Sequence, residues 1–379
     1  MPNKKDLFTI AIAAELAPAK TLIPVIEKLL FLEDQGNLNW KHTKIIGLYH
    51  GSSSKKLLES ISEECYYIGQ GRGSNQKKNS NLKLFSLIFR DFFRAFNAMK
   101  GKNIDLLITC GNAGDVRKSI LAANFLNIPV LHIEQDIYNP IELISHANLV
   151  TVPSEKYVSY LMDNYGLKNV VNIGGYPMVS YVYDSIESNQ LISKQTILDE
   201  YGFVDDYLLL VLGGDLRDDE LGNLIKVIED LDINTLIAPY RFDKSFVKDL
   251  VVSSKVIVLD NYVNLFDYMN SAKFLIYAAG MGMTIEAGVF GIPSIKIEGF
   301  HKVHGSVDLA NDLNIPVVPI SKISFVIKDL HSPCSGNLLK NSEIAIDNLV
   351  YIINNFDTSL SKSGLNSTKK IWNKRKIFR

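Results

Sequence analysis

The sequence predicts an α/β protein made of two doubly wound parallel-sheet domains that face each other across a cleft. Three observations lead there. Short apolar runs alternate with stretches of helical spacing through the first half of the chain; a polar, mixed stretch at 183–206 interrupts the rhythm; and the alternation then restarts. Strands covered by helices on both faces read as continuous apolar runs, and most of the runs here have that character. With 379 residues, each half is long enough to bury its own core.

The elements follow in order. In the first half, strands are expected at 7–14, 44–49, 65–68, 104–110, 130–134, 149–152 and 170–173. Between them lie helices at 21–31, 55–61, 84–100, 116–126, 141–147 and 155–165, with a polar loop at 69–81. The second half opens with a strand at 207–212 that ends in Gly213-Gly214-Asp215. Helices at 220–231, 245–252 and 265–271 then alternate with strands at 235–238 and 255–259, and a helix at 342–355 is the last strong element. The expected domains are therefore 1–182 and 207–357, joined by a linker at 183–206 and followed by a basic tail at 358–379.

A formal net charge of −1 gives no global attraction to nucleic acid, so any such contact has to be local. Cys65, Cys110 and Cys334 are too scattered for a disulfide framework or a zinc site, which favours a reducing compartment. Without a cleavable leader or a membrane-length apolar run, the expected location is the cytoplasm. Two segments leave peripheral membrane contact open. The tail carries Lys369, Lys370, Lys374, Arg375, Lys376 and Arg379 beside Ile371, Trp372, Ile377 and Phe378, and the leading reading is a solvated terminus. The 84–100 helix mixes Phe85, Phe89, Phe92, Phe93 and Phe96 with Arg90 and Arg94, and is expected to pack against the sheet.

The segment 273–298 organises the second half. An apolar strand runs to Ala278, Gly280-Met281-Gly282 punctuates it, a helix begins near Met283, and Gly291-Ile292-Pro293 opens another strand. Glycines at a strand-to-helix turn let backbone amides approach a ligand, and the helix start offers partial positive charge to an anion. The turn suits a diphosphate, with Thr284 offering a hydroxyl to a phosphate and Glu286 a carboxylate to a ribose. The competing reading is a glycine-closed turn with a capping threonine and a solvated glutamate. Arg217 and Arg241 follow strands and either neutralise the diphosphate or lie on the surface. No metal is expected, since Asp230-Leu231-Asp232 ends a helix and His301 with His304 has only Glu298 as a third ligand.

From Asp260 through Met269, Ser271-Ala272, the glycine turn, Gly291-Ile292-Pro293-Ser294 and Phe300-His301-Lys302, the second half resembles the UDP-N-acetylglucosamine transferases that glycosylate lipid-linked cell-wall precursors. That family belongs to the GT-B superfamily, whose two domains are Rossmann-like. The resemblance implies that main chain near Val263 reads uracil, that Gly280, Met281, Gly282, Met283 and Thr284 hold the diphosphate with Gly213 and Gly214, and that Glu286 takes the ribose. It also places His301 and His304 beside the donor sugar. The family's paired glutamines are replaced by Val303-His304-Gly305-Ser306, which leaves that sugar open. The first half is more similar to the non-hydrolysing UDP-N-acetylglucosamine 2-epimerases, through Leu131-His132-Ile133-Glu134, Pro140-Ile141-Glu142 and the run from His146 to Glu155. Asn112 stands where those enzymes have an aspartate, and Gly214-Asp215-Leu216-Arg217 where they have a His-Arg-Arg segment.

The leading expectation is an inverting, metal-independent glycosyltransferase that takes the sugar of a UDP-sugar, an N-acetylhexosamine, to a cell-envelope or lipid-linked acceptor. A 2-epimerase-like isomerase and a non-catalytic nucleotide-sugar-binding protein are the alternatives. No cofactor beyond the UDP-sugar substrate is expected. Transfer needs a base for the acceptor hydroxyl. Glu15, in the loop after the first strand, is the first candidate, and Glu134 and Asp136 are the others.

Overall fold

The computed structural model describes residues 4–69, 81–135, 137–188, 191–261, 263–299 and 302–377. The chain forms two compact units, Met1–Tyr181 with Leu339–Arg379, and Val182–Leu338.

The sheet of unit 1 has seven parallel strands: β1 (Lys5–Ala14), β2 (Trp40–Tyr49), β3 (Glu64–Tyr67), β4 (Leu106–Cys110), β5 (Val130–Ile133), β6 (Leu149–Val152) and β7 (Val170–Asn172). Their order is β3-β2-β1-β4-β5-β6-β7. β1 shows why the apolar run was readable: Ile10, Ile12 and Ala14 point into one core and Ala11 and Ala13 into the other, all of them fully buried. A strand buried on both faces has no use for polar alternation.

Unit 2 has six parallel strands: β8 (Tyr207–Val211), β9 (Asn234–Ala238), β10 (Val256–Val258), β11 (Phe274–Tyr277), β12 (Ser294–Ile297) and β13 (Val317–Val318). Their order is β10-β9-β8-β11-β12-β13. In both sheets the order reverses beside the first strand, between β1 and β4 and between β8 and β11. Open α/β sheets bind ligands outside the carboxyl ends of the strands at such a point.

The expected domain boundaries need three corrections. The helix Leu338–Asn354 does not close the second domain, because its stripe of Ala345, Ile346, Leu349, Val350 and Ile353 packs into the unit 1 core with Ile10, Ile12 and Leu22. The 183–206 stretch is no open linker, since the helix Met178–Glu187 runs into it and the helix Lys194–Tyr201 lies inside it. Ser193 caps the second of these by accepting from the Thr196 amide, and Gly202 ends it in the left-handed conformation at φ 69. The tail is likewise a helix, Leu365–Ile377, with Ile371 fully buried in the unit 1 core and Ser367 donating to the Gly166 carbonyl at 2.7 Å. Cys65, Cys110 and Cys334 are free thiols. No helix among the described residues is long and apolar enough to cross a membrane.

Candidate functional site

In unit 2 the two loops at the switch point are packed directly on each other. A Cβ on Gly213, just past β8, would lie 2.3 Å from the Ala278 carbonyl oxygen and 2.6 Å from the Ala279 Cβ, whereas one on Gly214 would meet nothing within 4 Å. Gly213 is thus a packing glycine and Gly214 an open one. Gly213→Ala is expected to destabilise unit 2 by about 1–3 kcal/mol, the usual cost of overpacking, while Gly214→Ala leaves thermal unfolding unchanged; equal melting curves for the two variants would contradict this.

Past β11, Gly280 caps the helix Met281–Phe290, whose first amides have no carbonyl within the helix to receive them. Met281 and Met283 are nearly buried, and Gly282 between them is half-buried. Thr284 does not offer its hydroxyl to a ligand. It is fully buried, donates to the Gly280 carbonyl at 3.2 Å and accepts from the Tyr277 hydroxyl at 3.1 Å, so it locks the turn from inside. Glu286 is buried in the next turn, not the solvated group of the competing reading.

Lys296, on β12, escaped the sequence reading. Its side chain is 1% exposed, and its Nζ donates to Asp215 Oδ2 at 3.0 Å and to the Ala279 carbonyl at 2.6 Å. One buried ammonium therefore ties the loop after β8 to the loop after β11, directly beneath the glycine turn. Gly299 closes the same knot, since a Cβ there would lie 2.6 Å from the Asp215 Cβ. A lysine within an apolar strand looks like a solvent-facing residue, which is why no sequence signal marked it.

The remaining predicted residues of unit 2 divide. His304 caps the helix Gly305–Asp312, its Nδ1 accepting from the Ser306 amide at 3.1 Å, so the ring proton sits on Nε2. Its Cε1 comes within 3.7 Å of the Cβ position of Gly280, which brings it to the turn. Arg241 donates to the Leu216 carbonyl in the loop after β8, which also places it at this edge. Arg217, by contrast, pairs with Glu220 at 3.2 Å and is 61% exposed, so here it serves its own short helix and not the turn. Val263 is half-buried in the loop before the helix Leu265–Met269. His301 lies outside the described residues. A cavity lined by Lys194, Asp206, Lys255 and Lys273 opens at the opposite, amino-terminal edge of the sheet, where those cations are already paired with Asp206 and Asp232.

In unit 1 the switch point collects titratable groups. Glu15 follows β1, and its Oε1 lies 2.6 Å from Nε2 of His50, which follows β2. The other ring nitrogen of His50 is 3.4 Å from Asp115 Oδ1, in the first turn of the helix Gly114–Phe125 after β4. Side-chain exposure falls from 48% at Glu15 to 10% at His50 and 1% at Asp115, so the trio runs from solvent into the protein. Burial alone would push His50 down, but its contacts with Asp115 and Glu15 outweigh that and raise it to about 9. Gly111 permits the arrangement. It has φ +89, and a Cβ there would meet Pro18 Cγ at 2.5 Å, so only glycine lets the loop after β4 close on the start of the helix Leu16–Asp34 that follows β1.

Glu134 follows β5 and is fully buried, with His132 Nε2 at 3.3 Å; His132 Nδ1 lies 2.9 Å from the Thr109 hydroxyl. That burial makes it an internal partner, not a group exposed to substrate. Asp136 lies outside the described residues. Glu142 is pushed up by burial, yet Arg117 at 3.0 Å and Arg375 at 3.8 Å hold it below the usual carboxylate range. His50 and Asp115 were missed because nothing local links a histidine after one strand to an aspartate beginning a later helix. Among the described residues no group of three or more His, Cys, Asp or Glu is placed to hold a metal ion.

No family profile and no curated protein matches the sequence. Solved structures do match in shape. UDP-N-acetylglucosamine 2-epimerase from Rickettsia bellii superposes with a TM-score of 0.66 at 15% identity, over 93% of this chain and 97% of its own. The Neisseria meningitidis UDP-GlcNAc 2-epimerase bound to UDP-GlcNAc gives 0.62 at 15% identity, over 98% and 100%. MurG from Acinetobacter baumannii gives 0.51 at 15%, over 92% and 98%. The chain has the GT-B fold of these enzymes. At such identities the likeness concerns architecture, and the two sheets described above account for it.

Proposed function

We propose that this chain acts on a UDP-sugar, unit 2 holding the UDP and unit 1 moving the protons. The observation that carries the reading is the placement of chemistry at both switch points: the glycine-capped helix with its buried lysine beside β8 and β11, and the Glu15–His50–Asp115 trio beside β1 and β4. In this reading the amides of Met281, Gly282 and Met283 take the diphosphate, Lys296 adds positive charge beneath them, and His304 Nε2–H approaches a phosphate or the sugar.

The reaction best supported is epimerisation at the C2 carbon of UDP-N-acetylglucosamine, in place of the transfer that the sequence put first. Epimerisation moves a weakly acidic proton and must expel and recapture UDP, so it needs an acid as well as a base. Unit 1 has an imidazole–carboxylate set of this kind at its switch point, Glu15–His50–Asp115, which reaches solvent at Glu15. The epimerases that share the fold also match over nearly all of both chains. Transfer to a lipid-linked or cell-envelope acceptor is the second reading, favoured by Asn112 and Gly214-Asp215-Leu216-Arg217 at positions where epimerases resemble each other in having an aspartate and His-Arg-Arg.

Incubation with UDP-GlcNAc in deuterated water separates the two. UDP-ManNAc labelled at the C2 carbon, formed without an acceptor, is the expected product. UDP released only when a lipid-linked acceptor is added would move the assignment to transfer, and failure to bind UDP would end both. Glu286→Ala is expected to weaken UDP by about 1–3 kcal/mol, as befits a lost charged hydrogen bond; unchanged affinity by calorimetry would remove the ribose role.

A further inference from the structure

The helix Gly114–Phe125, which brings Asp115 to the trio, carries a second buried charge. Lys118 follows Asp115 by three residues, so the two side chains share one face of the helix. The Lys118 side chain is 8% exposed. Its ammonium donates to the Ile68 carbonyl at 3.1 Å and to the Gly69 carbonyl, both just past β3, and lies 3.7 Å from Asp91 Oδ2 on the helix Asn81–Met99. A cation taken this far out of water needs carboxylates close by, because carbonyls alone do not replace its hydration.

Asp91 is not a sufficient reason for the lysine. Its side chain is 3% exposed and already has two guanidinium groups, Arg90 Nη2 at 3.2 Å and Arg94 Nη1 at 3.3 Å. Asp115 is in the opposite position. Its side chain is 1% exposed, neither carboxylate oxygen has a well-aligned hydrogen bond with a described residue, and His50 Nδ1 stands 3.4 Å away. Burial pushes the Lys118 ammonium below its ordinary range; Asp91 and Asp115 pull it back, and Arg94 opposes them. The loop after β3 faces it only with carbonyls, while the charges that face His50 are Asp115 and Glu15. Glu15, His50, Asp115, Lys118, Asp91 and the arginines therefore form a line of alternating sign through unit 1, open to solvent at both ends.

We infer that Lys118 is a positioning residue of the trio: its ammonium, fixed by Asp91 and the end of β3, shares the Asp115 carboxylate with the imidazolium and so limits how tightly His50 holds its proton. The effect on turnover rests on the proposed function; the effect on His50 itself does not.

Titration of the His50 Cε1 proton by NMR in the full chain tests this. In Lys118→Met the imidazole is expected to titrate about 1 pH unit higher, because a neighbouring positive charge has gone, and an Asp115→Asn background should remove most of that change. Arg90 and Arg94 still balance Asp91 in the variant, and a melting curve checks that it is folded. If it is not, Asp91→Asn supplies the opposite reading: Lys118 is then less well balanced, and the His50 midpoint should fall. An unmoved or lower midpoint in folded Lys118→Met, an equal rise without Asp115, or an unmoved midpoint in Asp91→Asn would overturn the inference. The alkaline limb of the pH–rate profile is expected to follow the imidazole. A shifted imidazole with an unmoved limb would uphold the role of Lys118 and remove the trio from the chemistry.

Discussion

Replacing His50 by glutamine is expected to lower turnover roughly a hundred- to ten-thousand-fold, the usual range for a lost acid–base group, while UDP affinity stays at the wild-type level. Glutamine keeps a hydrogen-bonding side chain between Glu15 and Asp115 but cannot carry a proton between them. The pH dependence supplies a second readout. Because the folded protein raises His50 to about 9 from an ordinary 6.5, it binds this proton more tightly than the unfolded chain does. The stabilisation is fully present below about pH 6.5 and is lost as pH rises through about 9. Activity that needs the imidazolium should fall along the same alkaline limb, and Glu15→Gln should move that limb to lower pH by removing one of the carboxylates that raise it. A pH–rate profile with the limb unmoved in Glu15→Gln would detach the trio from the chemistry.

Lys296→Met is expected to cost about 3–5 kcal/mol of stability in unit 2, because it strands Asp215 in a largely buried position without its cation. The variant should also bind UDP more weakly, since the same Nζ fixes the Ala279 carbonyl immediately before the glycine cap. Adding Asp215→Asn removes the stranded charge and should recover part of the stability without recovering the nucleotide affinity. Urea unfolding and UDP titration of the two variants check both halves. An unchanged unfolding midpoint in Lys296→Met would show that the buried pair contributes little.

The sheets were legible because their strands are buried on both faces, and Ile10 through Ala14 or Tyr207 through Leu212 have no other reading. What failed was the assignment of partners. The stripe from Ala345 to Ile353 identified a helix and its buried face, yet a stripe does not say which core receives it. The 183–206 stretch was hidden differently: the helix Lys194–Tyr201 has only Ile197 and Leu198 buried, too few to outweigh its polar face. At the site, the glycine turn announced itself through spacing. Thr284 occupies the expected position but engages its hydroxyl with Tyr277 and Gly280, a choice that depends on the three-dimensional closure of the turn. The Glu15–His50–Asp115 trio joins three loops and leaves no local pattern, so it emerged only when β1, β2 and β4 were set side by side.

The return of residues 339–379 to the first unit has a consequence for biosynthesis. During synthesis, all of unit 2 leaves the ribosome before the segment that completes the older half of the chain. Until Ile346, Leu349 and Ile353 arrive, the face of β1 that carries Ile10 and Ile12 lacks part of its cover. The inserted unit can therefore reach its native state first, and the half made earliest must wait for the carboxyl terminus, exposed meanwhile to chaperones and proteases.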